Sequence, residues 1–251
     1  MRLSRRVTEL AESATLAVSA KAARMRAEGV DVVSFGAGEP DFDTPAHIRQ
    51  AAIDALNKGQ TRYPNPAFGL AVARQAVCNS LARDANLLYG PEQVIITSGG
   101  KDAAYLAFHA LLDPGDEVVI PKPYWVSYPE MVRLAGGVPV FAVGTEKNDY
   151  KLTPEILRLA LTSRTRMFIF NSPSNPSGVT YHPEEVRALA QVLQDRELVV
   201  LSDEIYDRLL YDGQKTLSYA AVSDRTYSQT LTCNSASKTY AMTGWRLGYA
   251  A

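Results

Sequence analysis

Residues 166–202, RMFIFNSPSNPSGVTYHPEEVRALAQVLQDRELVVLS, contain the alternation that decides the fold. An apolar run, Arg166–Phe170, gives way to a turn-rich stretch, then to a helical period opened by Pro183, Glu184 and Glu185, then to a second apolar run, Leu198–Ser202. Proline at the first helical position costs no hydrogen bond, and early acids suit the positive end of the helix dipole. Neither apolar run alternates with polar residues, so the sheet they enter must be covered on both faces. Two strands joined through a helix lie parallel.

The same pattern extends in both directions. Gln93–Thr97, Glu117–Ile120 and Val138–Val143 read as strands before this unit, and Gln229–Cys233 as one after it. Thr153-Pro154-Glu155 opens a helix with an N-cap, a first-turn proline and an acid, Thr44-Pro45 opens another, and Gly69 to about Ala85 reads as one more. The predicted class is α/β, a mostly parallel sheet covered by helices. Internal repeats and Gly/Ser linkers are absent from the sequence.

Composition narrows the function classes. The 251 residues are 46% hydrophobic and 21% charged, enough for a large core. A net charge of -1 provides no general attraction to nucleic acid or an anionic membrane. The opening MRLSRRVTELAESATLAVSA sets Glu9 and Glu12 among its arginines and lacks a continuous apolar run, so no secretory leader is expected. No stretch is long enough to span a bilayer. The cysteines, Cys78 and Cys233, have neither metal-ligand nor redox spacing, and a reducing cytoplasm is the expected compartment.

Open α/β sheets bind ligands beyond the carboxyl ends of their strands. Four segments there carry chemistry. Ser98-Gly99-Gly100-Lys101 precedes a helix whose apolar residues Ala104, Leu106, Ala107 and Leu111 are expected to face the core, and its start offers free N–H groups to an anion. A plain tight turn accounts for those glycines equally well. NSPSNPSG, residues 171–178, is dense in turn formers and puts Asn175 where its amide could meet a ligand. Asp203 ends a buried strand, where a carboxylate needs a specific partner, either a structural one or a protonated heteroaromatic nitrogen. In TLTCNSASKTYAMTGWRLGYAA, residues 230–251, Lys238 sits among small residues with no acid nearby. Partly desolvated beside other cations, its amine would deprotonate readily and attack aldehydes, while Ser235 and Arg246 would suit a phosphate.

SASKTYAMTGWRLGY resembles the cofactor-lysine signature of the class I/II aminotransferases, the fold-type-I pyridoxal phosphate enzymes, and its AMTGWR wording is most similar to their bacterial aspartate aminotransferase branch. LSRRVTELAESATLAVSAKA, GAGEPDFDTP, TRYPNPAFGL, TSGGKDA, PYWVSYPEM, NSPSNPSG and SDEIYDRLLY resemble that branch in the same order, so the likeness spans essentially the whole chain. NSPSNPSG has serine where NPTG is commoner.

The resemblance implies roles. Lys238 would hold pyridoxal 5'-phosphate covalently and shuttle the substrate Cα proton, and Asp203 would pair with the ring nitrogen. Asn175 and Tyr206 would bond the ring oxygen, and Trp125 would stack on the ring. Ser98, Gly99, Gly100, Ser235 and Arg246 would hold the phosphate. Tyr63 would reach the phosphate of a neighbouring subunit, implying a homodimer with shared sites. Gly38, Trp125 and Asn175 would line the substrate α-carboxylate site. No metal is implied.

The implied activity is transamination between an amino acid, foremost aspartate or glutamate, and a 2-oxo acid, by a ping-pong route through pyridoxamine phosphate. An aromatic, prephenate or alanine aminotransferase and a C–S lyase stay open, as does a non-catalytic or inactive cofactor-binding piece. Lys101 is the local clue to an acidic side chain, set against a solvated first-turn lysine. Residues 1–45 are expected to form an N-terminal arm with part of a small domain, and 46–251 a large cofactor-binding domain. The family pattern continues past GWRLGY through further strands and a C-terminal small domain carrying the α-carboxylate arginine. Residues 1–251 by themselves are therefore expected not to be a competent enzyme.

Overall fold

The computed structural model describes residues 2–8, 10–11, 13–36 and 38–251. Glu9 and Glu12 of the N-terminal charge pattern, and Ala37 of GAGEPDF, lie outside them. A seven-stranded sheet is built from β1 (Ile95–Thr97), β2 (Glu117–Lys122), β3 (Val138–Val143), β4 (Thr165–Asn171), β5 (Val199–Asp203), β6 (Thr230–Ser235) and β7 (Gly248–Ala250). Their order is β1-β7-β6-β5-β4-β2-β3. The pairs β2/β3, β2/β4, β4/β5 and β5/β6 are parallel, whereas β7 runs antiparallel to both β6 and β1. The carboxyl ends of the other strands thus share an edge with the start of β7, which pairs Gly248 with both Thr97 and Ser235.

The helices are α1 (Arg5–Thr8), α2 (Ala14–Ala27), α3 (Ala46–Asn57), α4 (Ala71–Ala85), α5 (Gly100–Leu111), α6 (Ser127–Leu134), α7 (Pro154–Ala160), α8 (Pro183–Leu193), α9 (Asp224–Gln229) and α10 (Ala236–Thr239). Two expected starts are seen. The Thr153 hydroxyl accepts from the Ile156 N–H at 3.4 Å, and the Glu185 carboxylate accepts from the His182 N–H at 2.6 Å. Pro45 caps α3, but the Thr44 hydroxyl bonds the loop after α10 instead of the helix.

Alternate residues of each strand enter opposite cores. Val118, Ile120, Met167, Ile169 and Leu201 pack with α5 and α6, while Val119, Phe168, Phe170 and Val200 pack with α7 and α8. The expectation for α5 needs one correction. Its buried face is Ala103, Ala104, Ala107 and Phe108, with Leu111 partly buried, and Leu106 is 43% exposed. At 100° per residue Leu106 lies roughly 130° from the centre of that stripe. Among the described residues no helix is long and apolar enough to cross a membrane.

Candidate active site

At the shared strand edge lies a cleft of about 630 Å³. The backbone brings its groups there from distant parts of the chain: Asp203 ends β5, Tyr206 follows it, Asn175 sits on the loop after β4, and Lys238 is on α10 directly after β6. Because β7 is antiparallel, its beginning returns to this edge and delivers Arg246, whose left-handed backbone (φ 54°) turns the chain into the strand.

One end of the cleft is built to hold an anion. Gly99 caps α5 with φ +88°, and a Cβ there would lie 2.2 Å from Arg246 Nη2, so glycine is what lets the guanidinium lie against the turn. No side chain caps α5. The Gly100 and Lys101 N–H groups, at its first two positions, are beyond the reach of any intrahelical carbonyl. Arg246 Nη1 donates to the Thr243 carbonyl at 2.9 Å and Nη2 to the Ser98 carbonyl at 3.2 Å, which orients the group and leaves further N–H donors free. The Lys101 ammonium stands 4.9 Å from the Trp125 ring centroid, and burial followed by the Arg246 charge lowers its pKa.

The other end holds a carboxylate. Burial pushes the Asp203 pKa up, opposed by the Tyr128 hydroxyl donating at 2.5 Å and the Ile205 N–H donating at 3.2 Å. Asn171 braces this end, donating to the Asp203 carbonyl at 2.9 Å while its side-chain oxygen accepts from the Asn175 N–H at 2.8 Å. Asn175 Nδ2 donates to the Tyr206 hydroxyl at 3.4 Å.

Between the two ends is the Lys238 amine. It donates to the Gly38 carbonyl at 2.5 Å and lies 5.8 Å from the Tyr206 ring centroid. Burial lowers its pKa below that of an ordinary lysine, the Glu39 charge pulling the other way. Residues 38–44 are fastened to the loop after α10 by Thr243 donating to Glu39 at 3.0 Å, Thr44 donating to the Ala241 carbonyl at 2.5 Å and Trp245 Nε1 donating to Thr44 at 3.0 Å.

Lys238, Asp203, Tyr206, Asn175, Trp125, Gly100, Lys101, Arg246 and Gly38 therefore all line one cleft. Gly99 and the Ser98 carbonyl border it through Arg246. Ser235 is buried behind it, its hydroxyl oxygen accepting from the Ser237 N–H at 3.1 Å and its own proton left to donate. Tyr63 is 99% exposed and outside the lining. Tyr128 and Asn171 were not read from the sequence. The only signal available was the demand of Asp203 for a partner, which names no donor 75 residues away.

Residues 30–251 match the family model for aminotransferase class I and II. The chain belongs to the class I and II aminotransferase family. Along its whole length it is 49% identical to an aspartate aminotransferase of Bacillus subtilis (strain 168), covering 64% of that protein. Over 99% of the chain it is 48% identical to an aspartate/prephenate aminotransferase of Thermus thermophilus, covering 63% of it. A solved aspartate aminotransferase from Thermus thermophilus with maleate superposes with a TM-score of 0.95 at 48% identity, over all of this chain and 65% of that one. The chain thus spans less than two thirds of these relatives. Enzymes of this aminotransferase family use pyridoxal phosphate, and the cleft fits it on three counts: an anion cradle at one end, a carboxylate for a protonated ring nitrogen at the other, and an amine of depressed pKa between them.

Proposed function

We propose that the protein transfers an amino group from aspartate or glutamate to a 2-oxo acid. What carries this reading is the Lys238 amine, half-buried in one cleft with Asp203 and with the cradle formed by Arg246 and the start of α5. Lys238 is the amine to which the cofactor aldehyde would attach. Arg246, the Gly100 and Lys101 N–H groups and Ser235 would bind its phosphate. Trp125 would pack on the ring, and the Tyr206 and Asn175 side chains would donate to the ring oxygen. Bound there, pyridoxal phosphate supplies an electron sink for negative charge at the substrate Cα.

The chain's own groups then do four things. Asp203, ionised, accepts a hydrogen bond from the ring nitrogen and keeps it protonated. Lys238, its ammonium disfavoured by burial, takes a proton from the substrate Cα and returns one in the opposite half-reaction. Trp125 and the 38–44 segment shield that proton transfer from water. Lys101, beside Trp125, offers a cation to a distal carboxylate. The Thermus aspartate aminotransferase solved with maleate, a four-carbon dicarboxylate, supports an acidic substrate. The relatives named aspartate/prephenate make prephenate the second substrate to test.

We also propose a cytoplasmic homodimer in which Tyr63, exposed and outside its own cleft, reaches the phosphate of the neighbouring copy. Residues 1–45 would form an N-terminal arm with part of a small domain, and 46–251 the large cofactor-binding domain. The substrate reading is tested with Lys101→Ala in the intact protein. A charge-assisted hydrogen bond contributes about 1.5–3 kcal/mol, so kcat/KM should fall roughly ten- to hundred-fold for aspartate and glutamate and little for alanine or phenylalanine. Equal losses for all donors would remove Lys101 from side-chain selection.

A further inference from the structure

Two groups in the cleft would fix the plane and the polarity of a bound ring, Trp125 on its face and Asp203 at its nitrogen. Both rest on one side chain. Tyr128, three residues after Trp125 at the start of α6, is 2% exposed. Its ring meets Trp125 edge-on, at 5.2 Å between centroids and 89° between planes, and its hydroxyl donates to Asp203 Oδ2 at 2.5 Å.

We infer that Tyr128 is a positioning residue for the cofactor, holding Asp203 ionised and aimed into the cleft while its ring seats Trp125. The inference rests on the functional reading above.

Four features support it. Asp203 is drawn toward its protonated form by burial, and the side-chain bond that opposes this most is the one from Tyr128. Burial and then the Asp203 charge raise the phenol pKa well above that of an ordinary tyrosine, so the hydroxyl stays a donor throughout the working range. The titratable groups facing the phenol are Asp203, Cys233 and Tyr206, and burial also raises the pKa values of Cys233 and Tyr206, leaving Asp203 as the one carboxyl among them. An edge-on aromatic contact further restricts how the Trp125 ring can tilt.

The test uses the intact protein and reads pyridoxal phosphate affinity by its visible absorption. Tyr128→Phe keeps the ring and its contact with Trp125 and removes only the hydroxyl. Loss of a hydrogen bond to a charged group should weaken the cofactor roughly ten- to hundred-fold. Affinity falls on the acid side as Asp203 protonates, and without the donor its pKa rises, so that acid limb should move to higher pH in Tyr128→Phe. In an Asp203→Ala background the hydroxyl has nothing to bond, and Tyr128→Phe should leave affinity unchanged or improved. If Asp203→Ala binds too weakly to measure, the position of the acid limb decides alone. Tyr128→Ala should in addition abolish the quenching of Trp125 fluorescence by cofactor, which Tyr128→Phe retains. Unchanged affinity, or weakening with no shift of the acid limb, would overturn the inference while leaving the functional reading intact. A wild-type protein that binds no pyridoxal phosphate would instead overturn that reading.

Discussion

Glu204 follows Asp203 but points the other way, toward Ser202, because successive strand residues face opposite sides of the sheet. It is 6% exposed and accepts from the hydroxyls of Ser202 at 2.8 Å and Ser218 at 2.6 Å. Burial pushes its pKa up from 4.5 to about 7 against those two bonds, with the Asp207 charge adding to the rise. A carboxyl whose pKa is higher in the folded state binds more protons folded than unfolded. Its contribution is therefore fully present below about pH 4.5 and is lost as pH rises to about 7, on the order of 3 kcal/mol in all. Glu204→Gln should flatten the fall in unfolding free energy across that window and leave the protein at least as stable as wild type at pH 8, as measured by denaturant melts at several pH values. An unchanged pH slope would show that the titration lies elsewhere. At this scale the sequence was informative where chemistry is local: Lys238 among small residues and Asp203 at the end of an apolar run were both legible. Tyr128 was not, because its role depends on α6, packed over β2 and β3, reaching across to the end of β5, which no spacing within PYWVSYPEM encodes.

Among the elements, β7 matters most to the site. Its first residue, Gly248, is closed in by the turn that opens α5: a Cβ there would lie 2.3 Å from the Gly99 carbonyl carbon and 2.6 Å from the Gly100 nitrogen. These are backbone atoms, so the strand or the anion cradle must move to admit a methyl group. Gly248→Ala should cost about 1–3 kcal/mol in stability and weaken phosphate-bearing ligands, while leaving the Asp203 end of the cleft unaltered. Thermal melts and affinity for inorganic phosphate check this, and wild-type values for both would mean that the cradle tolerates displacement. Strand positions were legible to within about two residues because each is a continuous apolar run bounded by turn formers. The antiparallel entry of β7 between β1 and β6 was not, since direction is set by the connection through Arg246 and not by composition. Leu106 was misassigned because the expected stripe of Ala104, Leu106, Ala107 and Leu111 left out Ala103 and Phe108, whose burial moves its centre away from Leu106.

For the molecule as a whole, a chain carrying nearly balanced charge brings three of its cations to one place. Lys101, Lys238 and Arg246 come together with the start of α5 at the strand edge, although 145 positions separate the first of them from the last. That convergence follows from the parallel sheet, which brings the ends of β1, β4, β5 and β6 to the same edge. The alternation of strand and helix was enough to predict such an edge, but not which segments become neighbours across it. At the centre of that edge, Lys238 is the proposed anchor of the cofactor. That role is tested most directly by loading the intact protein with pyridoxal phosphate, reducing it with borohydride and mapping the labelled peptide by mass spectrometry. Loss of the visible band and a single phosphopyridoxyl adduct on Lys238, absent from Lys238→Ala, are expected. An adduct on Lys101 or another lysine, or none at all, would contradict that role.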